Sequence, residues 1–374
     1  MESQPGDMIP GLPDDLALNC LVRISHGYHG LLKCVSKKWE AAIKSNDYLC
    51  LKEKEGLGGN WLIALSPSEH TFNCVAYDPD ADRWHPIPPV PTTQRRLSFG
   101  HSCVSACKRC FIIGGAYTKS TFGLPVPSSE VLMFDPFKMN WSRVSNMTRG
   151  RNFFACAAVL DKIYVAGGSD ISHETGEGLA SASAEVYDPL ENRWDELPPM
   201  PVPLIGCFGV SHSGQFHVLG RIGPDGGEVD TYFRFNPADH RWHAGNDFEE
   251  LPSSSHLYPS ATHGVYAVDD KRAIQYPENG LRNWQTIGVI PDVALPNHDQ
   301  LLTPFNYAFV SYKKYLFLMG GSVLKFDGRY RCSFIPKLRT ARFCDTTQLP
   351  LEWRDARPLP PAYAGPTECF TLEE

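Results

Sequence analysis

The chain has 374 residues, of which 42% are hydrophobic, 11% aromatic and 21% charged, with a formal net charge of -7. That balance supports a sizeable core and excludes disorder as the main state; the acidic excess, with no Lys/Arg block, argues against a nucleic-acid or anionic-membrane partner. With 31 Gly and 31 Pro, the composition favours many short strands and turns over a helical bundle.

Residues 1–8 read as a disordered N-terminus. They contain no basic region followed by an apolar stretch, and no long apolar run suited to spanning a bilayer occurs anywhere, so a soluble intracellular protein is expected. No basic import cluster separates cytoplasm from nucleus, and either or both fit. The 12 Cys are too dilute for a disulfide scaffold, and most, like Cys156, sit in apolar runs, which predicts reduced, buried thiols.

Pro13 followed by Asp14 and Asp15 opens a helix, because proline suits the first helical position and carboxylates complement the exposed amide dipoles there. Leu16, Cys20 and Ile24 line one face of it. After a break at Gly27 and Gly30, a second stripe runs Leu32, Val35, Trp39, Ile43, with Lys33, Lys37, Lys38 and Lys44 off the stripe. Two or three short helices over residues 10–50 are predicted. So small a unit buries its own apolar faces poorly and should lean on a partner chain or the next domain. A charged, glycine-bearing stretch, 52–59, reads as a hinge.

Beyond it the sequence repeats. Tyr77-Asp78-Pro79 precedes Trp84, Phe134-Asp135-Pro136 precedes Trp141, Tyr187-Asp188-Pro189 precedes Trp194, and Phe235-Asn236-Pro237 precedes Trp242, with the same proline-to-tryptophan spacing each time. Trp284 and Trp353 continue the series more loosely, giving six units. Glycine doublets, Gly114-Gly115, Gly167-Gly168 and Gly320-Gly321, close apolar runs upstream of three of them. Each unit reads as four strands, with the Asp-Pro step as a tight turn between strands three and four. Such units pack as blades around an axis, so the fold class is mainly β, a six-bladed propeller over residues 60–374 preceded by a small helical head at 9–51. The first unit lacks its own strand one. The last stretch, 367–372, is a strand left over, and it is expected to complete blade one and close the ring.

In a four-stranded meander the 2–3 loops and the links between blades share one end. The 2–3 loops at 116–129, 169–183, 221–230 and 322–342 are long and dissimilar, which marks that end for recognition. Arg95, Arg96, Arg149, Arg151, Arg221 and His256 fall there and are the candidate substrate-binding residues, able to hold carboxylates or phosphoryl groups; the alternative is that each Arg pairs with a neighbouring blade's acid or carbonyl. His101, Cys103, Cys107 and Cys110 have a spacing that suggests zinc. Shifted by one unit, however, the cysteines fall on Cys156, Leu160 and Ile163, ordinary strand positions, so no metal and no cofactor are expected.

The repeat of glycine doublet, aromatic-Asp-Pro turn and tryptophan resembles the kelch repeat, and Leu12-Pro13-Asp14-Asp15-Leu16 through Val35-Ser36-Lys37-Lys38-Trp39 resembles an F-box. Their order resembles the plant-type F-box/kelch-repeat proteins. The resemblance implies a non-catalytic substrate receptor of an SCF-type cullin-RING ubiquitin ligase, whose F-box docks a Skp-family adaptor, and through it a cullin, while the propeller recruits a protein target. It places Leu12, Pro13, Leu16, Leu21, Ile24, Val35 and Trp39 at the adaptor interface or in the small core beneath it. The stretch His26-Gly27-Tyr28-His29-Gly30 departs from the pattern in being polar and glycine-rich, which predicts weaker adaptor affinity. A kelch scaffold outside any ligase, or a propeller enzyme with an axial site, are the alternatives; no nucleophile with an adjacent base is legible for the latter.

Overall fold

The computed structural model describes residues 7–57, 60–67, 72–91, 97–118, 125–171, 178–222, 230–245, 256–260, 264–279, 281–294, 302–326, 332–335, 338–365 and 368–372. The head consists of α1 (Asp14–Val22), a 3-10 turn at His26–Tyr28, α2 (His29–Lys33), α3 (Lys37–Lys44) and α4 (Asn46–Lys54). Pro13 immediately precedes α1, and Asp14 and Asp15 occupy its first turn. Ser36 Oγ accepts from Trp39 N at the start of α3, and Ser45 Oγ from Tyr48 N at the start of α4, so each helix satisfies one otherwise orphan amide. Leu21, Val22, Ile43 and Tyr48 form the head's core. Lys52, which composition alone assigns to a hinge, lies in α4 fully buried; its ammonium donates to Val22 O (2.7 Å) and Ile24 O (2.6 Å), carbonyls that the end of α1 leaves open.

The rest is a six-bladed propeller of antiparallel four-stranded sheets. Blade three shows the plan: Ala155–Val159 and Lys162–Ala166 pair, then Ala184–Asp188, then Arg193–Leu197. Blade two runs from Leu97–Ala106 to Asn140–Arg143, blade four from Leu204–His212 to Arg241–Ala244, blade five from His256–Ser260 to Arg282–Val289, and blade six from Ala308–Tyr312 to Arg354–Asp355. Blade one takes Trp61–Pro67, Phe72–Asp78 and Arg83–Pro86 from the start of the propeller, and its fourth member, Glu368–Leu372, from the end of the chain, with Ile63 opposite Phe370. The core is divided into slices between neighbouring blades. One joins Ile63 and Phe72 to Ile112 and Phe134 of blade two; another joins Val75 and Trp84 to Val310 and Phe317 of blade six.

Two repeated devices account for the sequence period. At the turn from strand three to strand four, Asp78, Asp135, Asp188, Asn236 and Asp345 each accept through Oδ1 from the amide two residues on, at 2.9 to 3.1 Å, which pins the turn locally. On or just before strand four, the indole N–H of Trp84, Trp141, Trp194, Trp242 and Trp353 donates to a carbonyl at the end of the preceding blade or in the link that follows it: Arg357 O, Pro88 O, Ser145 O, Pro198 O and Val289 O. Five repeats therefore carry their own link to a neighbour, and Trp84 carries the link across the ring closure. Gly114 and Gly115 have φ of 64° and 90°, and Gly115 N donates to Arg151 O at 2.8 Å. A Cβ on Gly114 would stand 2.8 Å from that same oxygen, so the doublet is required by the close approach of the link into the next blade.

Candidate functional site

The seven head residues singled out from sequence divide by burial. Leu21 is fully buried, and Ile24 and Trp39 pack half-buried against the same core. Trp39 Nε1 donates to Met8 O at 2.7 Å, tying the segment before α1 across the head, and Leu12 is half-buried there. Pro13, Leu16 (49% exposed) and Val35 (60% exposed) face outward. Leu31, 63% exposed, joins them and escaped the sequence reading, which put the neighbouring Leu32 on its stripe. In a helix of five residues two adjacent leucines cannot both face the core, so one of the pair had to emerge. The outward set is a group of large apolar side chains with no cover, held by a rigid frame: Lys38 pairs with Asp14 at 2.8 Å, joining the starts of α3 and α1. The Lys38 ammonium, with the Met8 amide, holds the Asp14 carboxyl below its usual range.

Beneath this frame His29, Tyr48 and Leu21 form a buried relay. Tyr48 donates its one hydroxyl proton to Leu21 O (3.2 Å), so His29 Nε2–H donates to the hydroxyl at 2.8 Å. Burial, reinforced by the charges of Lys52 and Lys33, pushes the His29 imidazole down to about 3 and keeps it neutral.

The polar stretch around Gly27 is where the head meets the propeller. His26 packs edge-on against Phe137 (5.0 Å) and Trp61 (5.9 Å). Tyr28 meets His85 at 5.3 Å and accepts from Arg83, whose guanidinium lies 4.8 Å over its ring. A Cβ at Gly27 would lie 2.1 Å from His85 Nδ1, so only glycine admits the buried imidazole. Burial lowers the His85 pKa against the opposing pull of Asp78. Arg83 begins strand four of blade one, Trp61 begins its strand two, and Phe137 lies in the 3–4 turn of blade two. The head thus sits at the end of the propeller that carries the short turns. The departure from the family pattern at His26–Gly30 has its reason in this seat.

At the opposite end, long 2–3 loops add small sheets of their own: Ser169–Ile171 pairs with Gly178–Ala180, and Ser322–Phe326 with Cys332–Ile335. Of the candidate substrate-binding residues, Arg149, Arg221 and His256 are exposed there, whereas Arg95 and Arg96 lie outside the described residues. Arg151 is a correction. It is 2% exposed, pairs with Glu185 at 2.8 Å, and donates to Gly167 O, Ser183 O and Ser183 Oγ; Glu185 in turn accepts from Thr148 N at 2.7 Å. It locks the link between blades two and three into blade three and is closed to any ligand. Two residues on, Phe153 is 50% exposed with φ 49°, a left-handed backbone unusual for a bulky side chain, held by Phe153 N to Gly100 O and by Cys207 N to Phe153 O, both 2.9 Å. No local pattern marks it, because its exposure is set by its neighbours. Of the zinc-spaced set, Cys110 is buried in its strand and Cys107 Sγ donates to Asp161 O at 3.4 Å. Among the described residues no helix is long and apolar enough to cross a membrane.

Residues 9–51 match the F-box domain family and residues 150–201 the Kelch motif family. The F-box/kelch-repeat protein At1g16250 of Arabidopsis thaliana is 39% identical, with 100% of this chain and 99% of that protein covered. The F-box/kelch-repeat protein At1g67480 of the same plant is 30% identical over 57% of this chain and 54% of its own. A solved structure titled "Structure of YjhT" covers 73% of this chain and 86% of that one at 13% identity and a TM-score of 0.49, a likeness too loose to bear on function. The chain is an F-box/kelch-repeat protein: a propeller carrying a head of the kind that generally binds Skp-family adaptors in SCF complexes, in a family whose members generally act as non-catalytic adaptors.

Proposed function

We propose that this chain is the substrate-recognition subunit of an SCF-type cullin-RING ubiquitin ligase, itself non-catalytic, working in the cytoplasm, the nucleus or both. The head at 9–51 docks the Skp-family adaptor through Pro13, Leu16, Leu31 and Val35, with Leu12 at the edge and Leu21, Ile24 and Trp39 as the core that holds them. The propeller at 60–374 receives the target at its loop end, where Arg149 and Arg221, and Arg95 and Arg96 of the preceding link, supply cationic contacts, His256 a polar contact and Phe153 an aromatic anchor. The observation that carries this reading is the placement of the head: it is seated through His26 and Tyr28 on the short-turn end of blades one and two, so adaptor and target would approach opposite ends of one rigid body.

Co-purification of the full chain with a Skp-family adaptor tests the first half. Wild type should form a stable complex. Leu16→Glu should lose it, because charge placed on an apolar anchor costs on the order of 2–4 kcal/mol of binding, while thermal stability moves by no more than about 0.5 kcal/mol, since the site is exposed in the free protein. A folded wild-type chain that fails to bind would sink the ligase reading.

A further inference from the structure

The innermost strands of the six blades surround an axial cavity of about 290 Å³, lined by His101, Cys103, Cys156, Cys207, Tyr258 and Glu368 among others. Three of these converge. His101 and Cys103 alternate on the innermost strand of blade two and so project to one side of it; Glu368 comes from the closing strand of blade one. Nδ1 or Nε2 of His101, Sγ of Cys103 and a carboxylate oxygen of Glu368 all lie within 4.8 Å of one another. Glu368 Oε2 stands 2.8 Å from His101 Nε2 and 3.4 Å from Cys103 Sγ.

This is an unusual arrangement for an ordinary polar core. The His101 side chain is 2% exposed; its Nε2 is paired with Glu368 Oε2 at 2.8 Å, while its buried Nδ1 has no hydrogen-bond partner. The Phe72 ring, 4.9 Å away, confines the imidazole. Around a tetrahedral ion with bonds of about 2.0–2.3 Å, ligand atoms stand roughly 3.3–3.8 Å apart, a spacing reached here by small rotations of three side chains. A set of one imidazole, one thiol and one carboxylate matches a borderline-soft divalent ion and suits neither Ca²⁺ nor Mg²⁺, which demand oxygen shells.

We propose that His101, Cys103 and Glu368 bind a Zn²⁺-class divalent ion at the propeller axis, tying the closing strand of blade one to the innermost strand of blade two. Binding takes the neutral imidazole of His101, ionised Glu368 and the thiolate of Cys103; the thiol proton and the proton that the Glu368 carboxylate favours on the imidazole are both released to solvent, and a fourth position is left facing the axial cavity. The strand so anchored is the one that seals the ring, so the ion acts as a clasp on closure. Cys107 and Cys110, which complete the sequence spacing, take no part; the third ligand comes from 265 residues away.

The test is Co²⁺ titration of the full chain after chelator treatment, read by the thiolate-to-cobalt charge-transfer band in the near ultraviolet and by displacement with Zn²⁺. Wild type should take up about one equivalent, and the thermal midpoint should rise with Zn²⁺ and fall with chelator. Cys103→Ser should abolish the band, while Cys156→Ser, a control in the same cavity, keeps it. Glu368→Gln should weaken uptake by more than the roughly 10–100-fold that loss of a mere supporting partner costs, and circular dichroism shows whether each variant is folded. No charge-transfer band in folded wild type overturns the proposal, as does an equal band in Cys103→Ser. Should Cys103→Ser not fold, unaltered uptake by folded Glu368→Gln overturns it equally.

Discussion

The head and the propeller solve the same problem in opposite ways. The propeller is closed: each blade presents both faces to neighbours, the cores lie between blades, and the propeller's first and last strands pair within blade one. The head is open. Its core is built on Leu21, Val22, Ile43 and Tyr48, and it satisfies buried polar groups with a lysine and an imidazole while leaving Leu16, Leu31 and Val35 in water. A closed ring buries its cores between blades and carries its long loops at one end. An open head is completed by whatever covers it, and the cover on one side is already present: His26, Gly27 and Tyr28 are satisfied by blades one and two.

The comparison is broken most forcefully at Arg151. Arg151→Met leaves Glu185 charged and uncompensated at 1% exposure and should cost the propeller about 3–5 kcal/mol in denaturant unfolding. Adding Glu185→Leu should recover much of this by removing the stranded charge. A loss of target binding with unchanged stability would instead return Arg151 to the binding face. A smaller effect is expected at the seam. Gly27→Ala forces a methyl into the space of the His85 ring and should cost about 1–3 kcal/mol, and calorimetry should then resolve a head transition separate from that of the propeller. His85→Ala should suppress the defect, and a neutral Gly27→Ala would mean that the head is not seated there.

A graded effect is a pH dependence confined to the head. His29 has an ordinary value of 6.5 and lies at about 3 when folded, so between those limits the unfolded chain binds a proton that the folded head does not. Stability is therefore complete above about 6.5 and falls as pH drops, by at most about 1.4 kcal/mol per pH unit. The groups facing His29 agree with this sign: Lys52 and Lys33 repel its proton, and Tyr48 stays neutral, its hydroxyl pushed up to about 12 by burial. Thermal midpoints of wild type and His29→Gln, compared from pH 7 to 4, check it; parallel curves would remove His29 as the cause. Lowered carboxyls such as Asp14 and Asp345, each held by a lysine, titrate in both proteins and cancel in that comparison.

The sequence by itself determined whatever is local and repeated. The Asx turns at Asp78, Asp135 and Asp188, the tryptophan spacing and the glycine doublets specify a blade within about fifty residues, and their recurrence specifies the ring. Pro13, Ser36 and Ser45 mark helix starts in the same short-range way. What only the tertiary structure decided depends on which surfaces meet. Leu16 and Leu21 look alike in a helical stripe, yet one is exposed and the other is core. Arg149 and Arg151 are near neighbours in the chain, yet Arg149 is exposed while Arg151 is buried against the Glu185 carboxylate. Gly27 looks like a break until His85 fills the space beside it, and His101 and Cys103 look like strand residues until the closing strand brings Glu368 to them. Burial and partnership are properties of pairs far apart in the chain, and periodicity along one segment carries no record of what the other segment supplies.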